Sequence, residues 1–179
     1  MDLTALWAEL GVPPNYGAAR NLSLQAEADP TTLVAIAQKE DGVPILLTPP
    51  AAAAWGEMRR AAAEAGLTLI PVSGFRSIAR QTEIIRAHLA AGRPLAEILR
   101  LVAAPGYSEH HTGRAVDLTA PDDPPLEAGF AQTTAFAWLS LNAVNYGFTL
   151  SFPRHNPHDI AFEPWHWLWR PTVKSPTPR

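Results

Sequence analysis

The sequence predicts an α+β fold, a small central antiparallel sheet flanked by helices. Helix-like and strand-like segments are mixed along the chain without the regular βαβ alternation of a parallel sheet. The strand-like runs are short and bounded by turn-forming residues. At 179 residues the chain suits one domain that buries about 70% of its unfolded surface, and with no cysteine it must do so without disulfides.

The opening "MDLTALWAELGVPP" reads as a short amphipathic helix. It carries Asp2 and Glu9, no positive segment and no small-residue cleavage site, so it does not look like a signal peptide, and a cytoplasmic location is expected. "TTLVAIAQ" and "VPILLTP" flank the turn-rich "KEDG", which predicts a hairpin. "PPAAAAWGEMRRAAAEAG" predicts a helix, because proline suits a first turn that needs no N–H and Gly66 suits the stop. "LTLIPVS" is β-prone up to Gly74, and Ser77 is placed to cap a helix through "IARQTEIIRAHLAAG", with a shorter helix after Pro94. "RAVDLTA" alternates like a strand, "TTAFAWLSLNAVNYG" is helical in pattern, and "FTLSF" and "HWLW" read as strands. The expected organisation is one domain over 1–170, with a helical and hairpin part at 1–66 and a core at 67–170, then a polar, proline-rich tail at 171–179.

A net charge of −3 provides no basic footprint for nucleic acid or an anionic membrane. The longest stretch free of Asp, Glu, Lys and Arg, Ala128 to Pro153, is interrupted too often by polar residues to span a bilayer. Without cysteine, any metal must be held by histidine and carboxylate. The expected partner is therefore small or neutral.

Three segments concentrate reactive groups. In "SEHHTGRAVD", strand alternation puts Ala115, Asp117 and Thr119 on one face and Val116 and Leu118 on the other. A mid-strand carboxylate needs a cation, hydrogen bonds or a metal to offset its desolvation. His110 would lie roughly 23 Å from Asp117 in an extended chain, so the two can share an ion only if the chain bends, and Gly113 is the obvious place. The spacing permits a metal site but does not demand one, and taken alone this stretch reads first as a solvated loop with an ion-paired aspartate. In "EPWHW", Glu163 and His166 can supply a base and a ligand if Pro164 helps to kink the segment, beside an aromatic stripe of Trp165, Trp167 and Trp169. In "SGFRSIARQ" a strand gives way to a helix start, with Arg76 suited to a carboxylate or an oxyanion, or to a structural ion pair.

Together "SGFRSxxxQ", "GYSEHHTGRAVDL" and "EPWHW" resemble the motifs of VanY-type D-alanyl-D-alanine and L,D-carboxypeptidases, in that family's order and over about residues 70 to 170. The family sits within the LAS group of zinc peptidases, which includes lysostaphin-type enzymes and hedgehog domains. The resemblance implies the LAS-type fold and one zinc held by His110, Asp117 and His166. It implies Glu163 as the general base and Arg76 as the group that polarises the scissile carbonyl and stabilises the oxyanion. Gln81 and Ser108 would hold the C-terminal end of the substrate, and Trp165 would line the cleft. The implied substrate is a muropeptide or peptidoglycan stem peptide ending in D-alanine.

His111 stands where relatives often have glutamine, and Phe152 where many have a tyrosine. His88, His155 and His158 match no ligand position and are expected on the surface or in loops. A cytoplasmic enzyme that trimmed D-Ala-D-Ala would destroy wall precursors, whereas removing D-alanine from a recycled tetrapeptide returns a tripeptide for reuse. The expected activity is therefore that of an L,D-carboxypeptidase, with D,D-carboxypeptidase, endopeptidase and non-catalytic zinc-binding readings as alternatives.

Overall fold

The structure, a computed structural model, describes residues 2–121 and 123–171. Helices α1 (Leu3–Leu10) and α2 (Tyr16–Ala19) lead to strands β1 (Val34–Gln38) and β2 (Pro44–Leu47) and helix α3 (Pro49–Glu64). Then come β3 (Ile70–Ser73), α4 (Ile78–Ala90), α5 (Leu95–Leu101), β4 (Ala115–Thr119), α6 (Thr134–Asn142), β5 (Phe148–Leu150) and β6 (His166–Trp169). The tail expected at 171–179 lies outside the described residues from 172 onward. Among the described residues no helix is long and apolar enough to cross a membrane.

Local chemistry sets the element ends. The Asp2 carboxylate caps α1 by accepting from Thr4 N and Ala5 N, and the Ser77 hydroxyl caps α4 by accepting from Arg80 N. The β1–β2 hairpin forms around "KEDG", closed by Lys39 N donating to Val43 O. The helix expected through Gly147 is shorter: α6 ends at Asn142, and a 3-10 turn over Ala143–Tyr146 runs into Gly147 at φ 82°. β5 likewise stops at Leu150, two residues before the expected end.

β3, β4, β6 and β5 form a four-stranded sheet in that order, with every pairing antiparallel. Val116, Leu118, Trp167 and Phe148 pack against Trp55 and Met58 of α3 and Leu139 of α6 in one core. A second core joins Leu6 and Leu10 of α1 to Ile85 of α4 and Ile98 and Leu99 of α5. Each fully buried side chain of this kind contributes about 1.5–3 kcal/mol of transfer free energy. Both cores draw residues from either side of residue 66, so the two parts read from the sequence are packed into each other. Because the side chains of β4 alternate, Ala115 and Asp117 face away from the first core. Asp117 pairs across the sheet with His166, which puts both on the same face.

Candidate active site

Three backbone devices assemble the site. Glu109–Thr112 forms a 3-10 turn capped by Gly113 at φ 64°, the bend that brings His110 back over β4. A Cβ at Gly113 would come within 3.0 Å of Leu33 in a conformation that L residues rarely adopt. The end of β3 abuts the hairpin through Phe75 N donating to Leu46 O, and a Cβ on Gly74 would sit 2.5 Å from that same oxygen. Glycine at 74 is thus required for this close approach. Ahead of β6 a tight turn, with His166 N donating to Glu163 O, places Glu163 before the strand rather than in it. That turn removes the conflict of facing raised by a separation of three residues.

His110, Asp117 and His166 converge and are all buried, with one ligand atom from each lying within 4.8 Å of the others. The His110 Nδ1 can only donate to Gly74 O, at 2.6 Å, so when the ring is neutral its Nε2 carries a lone pair. That lone pair faces the carboxylate Oδ2 of Asp117 at 3.2 Å. Two acceptors in contact call for a cation between them. His166 is in the same position: its Nε2 lies 2.9 Å from Glu109 Oε2 and its Nδ1 3.1 Å from Asp117 Oδ1, and a neutral imidazole has only one proton for the two. The donor set, two imidazole nitrogens and a carboxylate with each ring anchored by its other nitrogen, fits zinc.

The electrostatics agree. Burial would raise Asp117, but the charges and hydrogen bonds of His110 and His166 outweigh it and hold the carboxyl well below the usual range. Burial would lower His166, but hydrogen bonds to Asp117 and Glu109 and their charges push it up to about 10. Burial lowers His110, against the opposing charge of Asp117. Glu163 behaves differently: burial dominates and raises it to about 7, against the pull of His166. Its nearest approach to His166 Nδ1 is 3.9 Å, beyond hydrogen-bond reach. This carboxylate is the basic group left free to exchange a proton.

In the metal-free protein, a proton on His166 stands in for the missing cation. Its pKa rises on folding from 6.5 to about 10, so the stability it contributes is fully present below pH 6.5 and is lost as pH rises through 10. Glu163, raised from 4.5 to about 7, adds a loss of the same sign over its own range. Thermal unfolding in excess chelator is therefore expected to show a melting temperature that falls from pH 6.5 towards pH 10. A flat or rising profile would contradict the cluster as described.

Around these groups runs a cleft of 780 Å³ that reaches Lys39 and Val43 of the hairpin and Arg80, Ile84 and His88 of α4. Arg76, Gln81, Ser108 and Trp165 all line it with His110, Asp117, Glu163 and His166, so every site residue implied by the resemblance reaches one cavity. Arg76 Nη1 donates to Gln81 Oε1 at 3.0 Å, and Nη2 lies 3.9 Å from Asp117 Oδ2. Gln81 is 1% exposed and also donates to Ala103 O at 2.6 Å, so its amide is engaged with protein groups on both sides. The geometry makes it a support for Arg76.

His111 is fully buried: its Nδ1 donates to Arg76 O at 2.6 Å and its Nε2 accepts from Gly106 N at 3.1 Å. An amide side chain offers the same donor and acceptor pair, so glutamine would suit this position chemically. His155 is exposed, whereas His158 is half-buried, bonded through Nδ1 to Arg20 O and set edge-on to Phe152. Phe152 in turn lies against His166, with ring centroids 5.0 Å apart. The residue that sequence reasoning missed is Glu109. No local signal marked it, because the ring it anchors is that of His166, 57 residues along the chain, and not that of its neighbour His110, which is held by Gly74 O.

Comparisons with known proteins show the family and the fold. The Bacillus subtilis (strain 168) protein YodJ is 38% identical over 122 residues, covering 65% of this chain and 43% of that one. The chain thus spans less than half of YodJ. The bifunctional D-Ala-D-Ala dipeptidase and D-Ala-D-Ala carboxypeptidase VanXYC of Enterococcus gallinarum is 30% identical over 156 residues, covering 84% of this chain and 80% of that one. Among solved structures, the LdcB LD-carboxypeptidase superposes with a TM-score of 0.72 at 29% identity, covering 83% of this chain and 74% of that one. A family model described as VanY, D-alanyl-D-alanine carboxypeptidase, matches residues 44–172, a span that holds every residue of the cluster and its cleft wall from Arg76 to His166. With a family model over most of its length and a relative 30% identical along 80% of that relative, the chain belongs to the VanY family of D-alanyl-D-alanine carboxypeptidases.

Proposed function

We propose that this chain is a zinc carboxypeptidase that releases the C-terminal D-alanine of peptidoglycan stem peptides, with one zinc held by His110, Asp117 and His166. The observation that carries the reading is a buried His–Asp–His cluster whose facing lone pairs require a cation, with an unbonded carboxylate, Glu163, beside it in an open cleft.

Bound zinc would acidify a water molecule and polarise the scissile carbonyl. Glu163 takes the proton of the attacking water on its carboxylate and delivers it to the departing amine nitrogen. Arg76 donates to the carbonyl oxygen as negative charge develops there. Gln81 holds the Arg76 fork in place, and His111 pins the Arg76 backbone through its carbonyl. Ser108 and Trp165, on the cleft wall, contact the terminal D-alanine and the adjoining residue. No covalent acyl-enzyme is needed, in keeping with a chain that has no cysteine.

Within that activity, the finer reading is L,D-carboxypeptidase action on tetrapeptides in the cytoplasm. The likeness to an LD-carboxypeptidase at a TM-score of 0.72 supports it. So does the chemistry of that compartment, where D,D-trimming would consume the pentapeptide precursors of the wall. The test compares kcat/KM on matched tetrapeptide and pentapeptide substrates, which measures discrimination in the transition state. The tetrapeptide is expected to be cleaved faster, and faster release from the pentapeptide reverses the assignment to D,D-carboxypeptidase.

A further inference from the structure

We propose that Glu109 is a positioning residue that holds the His166 ring, through its Nε2, with Nδ1 turned to the metal. The inference rests on the metal-site reading above and adds a residue outside the ligand set.

Glu109 opens the same 3-10 turn that carries His110, so one short segment reaches His166 from two sides. His110 meets it ring to ring, with centroids 4.9 Å apart and planes at 78°. Glu109 meets it by a hydrogen bond, Oε2 accepting from Nε2 at 2.9 Å. The carboxylate is itself fixed: its side chain is 13% exposed, and the buried Ser151 hydroxyl, otherwise unpartnered, faces it. The turn is closed by Thr112 Oγ1 donating to Glu109 O at 2.7 Å.

The chemical consequence concerns the tautomer. A neutral imidazole carries its proton on one nitrogen and its lone pair on the other. An acceptor-only carboxylate at Nε2 keeps the proton there and leaves the Nδ1 lone pair, which points at Asp117, for the cation. The two ligand histidines are then anchored in opposite senses. His110 donates from Nδ1 to Gly74 O and presents Nε2, while His166 donates from Nε2 to Glu109 and presents Nδ1. The site thus holds two glutamates with separate tasks: Glu109 is tied to a ring nitrogen, and Glu163 is free.

The test measures zinc affinity by competition with a chromophoric chelator in the full chain. Glu109→Ala is expected to weaken zinc binding by about 10–100-fold. Glu109→Gln should lose less, because its amide oxygen can accept the same hydrogen bond. His110→Ala serves as the control for the underlying reading and should abolish stoichiometric binding; unchanged binding there would sink the metal site itself. If that control behaves as expected and Glu109→Ala binds zinc as tightly as wild type, the positioning role is wrong. Long-range proton–nitrogen NMR on the zinc-loaded wild type gives a second readout that needs no variant to fold. It should find His166 protonated on Nε2 and His110 on Nδ1, and a His166 proton on Nδ1 would overturn the proposal.

Discussion

Glu163→Gln is expected to retain wild-type zinc content and to hydrolyse a D-alanine-terminated stem peptide about 10²–10⁴-fold more slowly. The substitution keeps the shape of the side chain and removes its basicity. Because Glu163 lies 3.9 Å from His166 Nδ1 and outside the mutually close ligand atoms, the metal cluster loses nothing it uses. In the metal-free protein the change should stabilise slightly above pH 7, since a buried carboxylate with its pKa raised to about 7 resists ionisation and an amide has no charge to bury. Zinc content is read by elemental analysis and turnover by release of D-alanine. A variant that turned over at the wild-type rate would remove Glu163 from the reaction, and one that lost zinc would make it a ligand.

The legible part of this protein lay where a residue's neighbours along the chain decide its environment. Ser77 before an apolar-periodic run caps α4, and "KEDG" turns the hairpin, because capping and turning are local events. The ligand set was legible for a different reason: a resemblance to family motifs selected His110, Asp117 and His166, while spacing alone favoured an ion-paired loop. What stayed hidden depends on distant contacts. Gln81 bonds to Ala103 O and Arg76, partners brought together by the packing of α4, and nothing in "SGFRSIARQ" distinguishes that support from a substrate contact. Glu109 becomes informative only when β6 delivers His166 across the sheet, 57 residues further along the chain. Buried His111 looked like a bystander because its two partners, Arg76 O and Gly106 N, are backbone atoms that no side-chain motif records.

Asp117→Asn is expected to abolish stoichiometric zinc binding while leaving the metal-free fold intact. In wild type, a zinc concentration 1,000 times the dissociation constant should add about 4.1 kcal/mol to stability; in the variant the same zinc should add almost nothing. The reason lies in the facing groups. The carboxylate sits 3.2 Å from His110 Nε2 and 3.1 Å from His166 Nδ1, and it is the one ligand that contributes negative charge. An amide of the same shape donates N–H to the His110 lone pair and, while His166 is protonated, accepts from its Nδ1–H, so it satisfies both rings without a metal. The repulsive contact that calls for a metal becomes a hydrogen bond. The same change withdraws the Asp117 charge, one of the causes that raise His166 to about 10, so its pKa should fall, with Glu109 still holding it up. In chelator, the decline in melting temperature expected of wild type between pH 6.5 and 10 should accordingly become shallower. Thermal unfolding at several pH values, with zinc and with chelator, reads both effects. Retained zinc-dependent stabilisation in this variant would show that the cation is held elsewhere than between these three side chains.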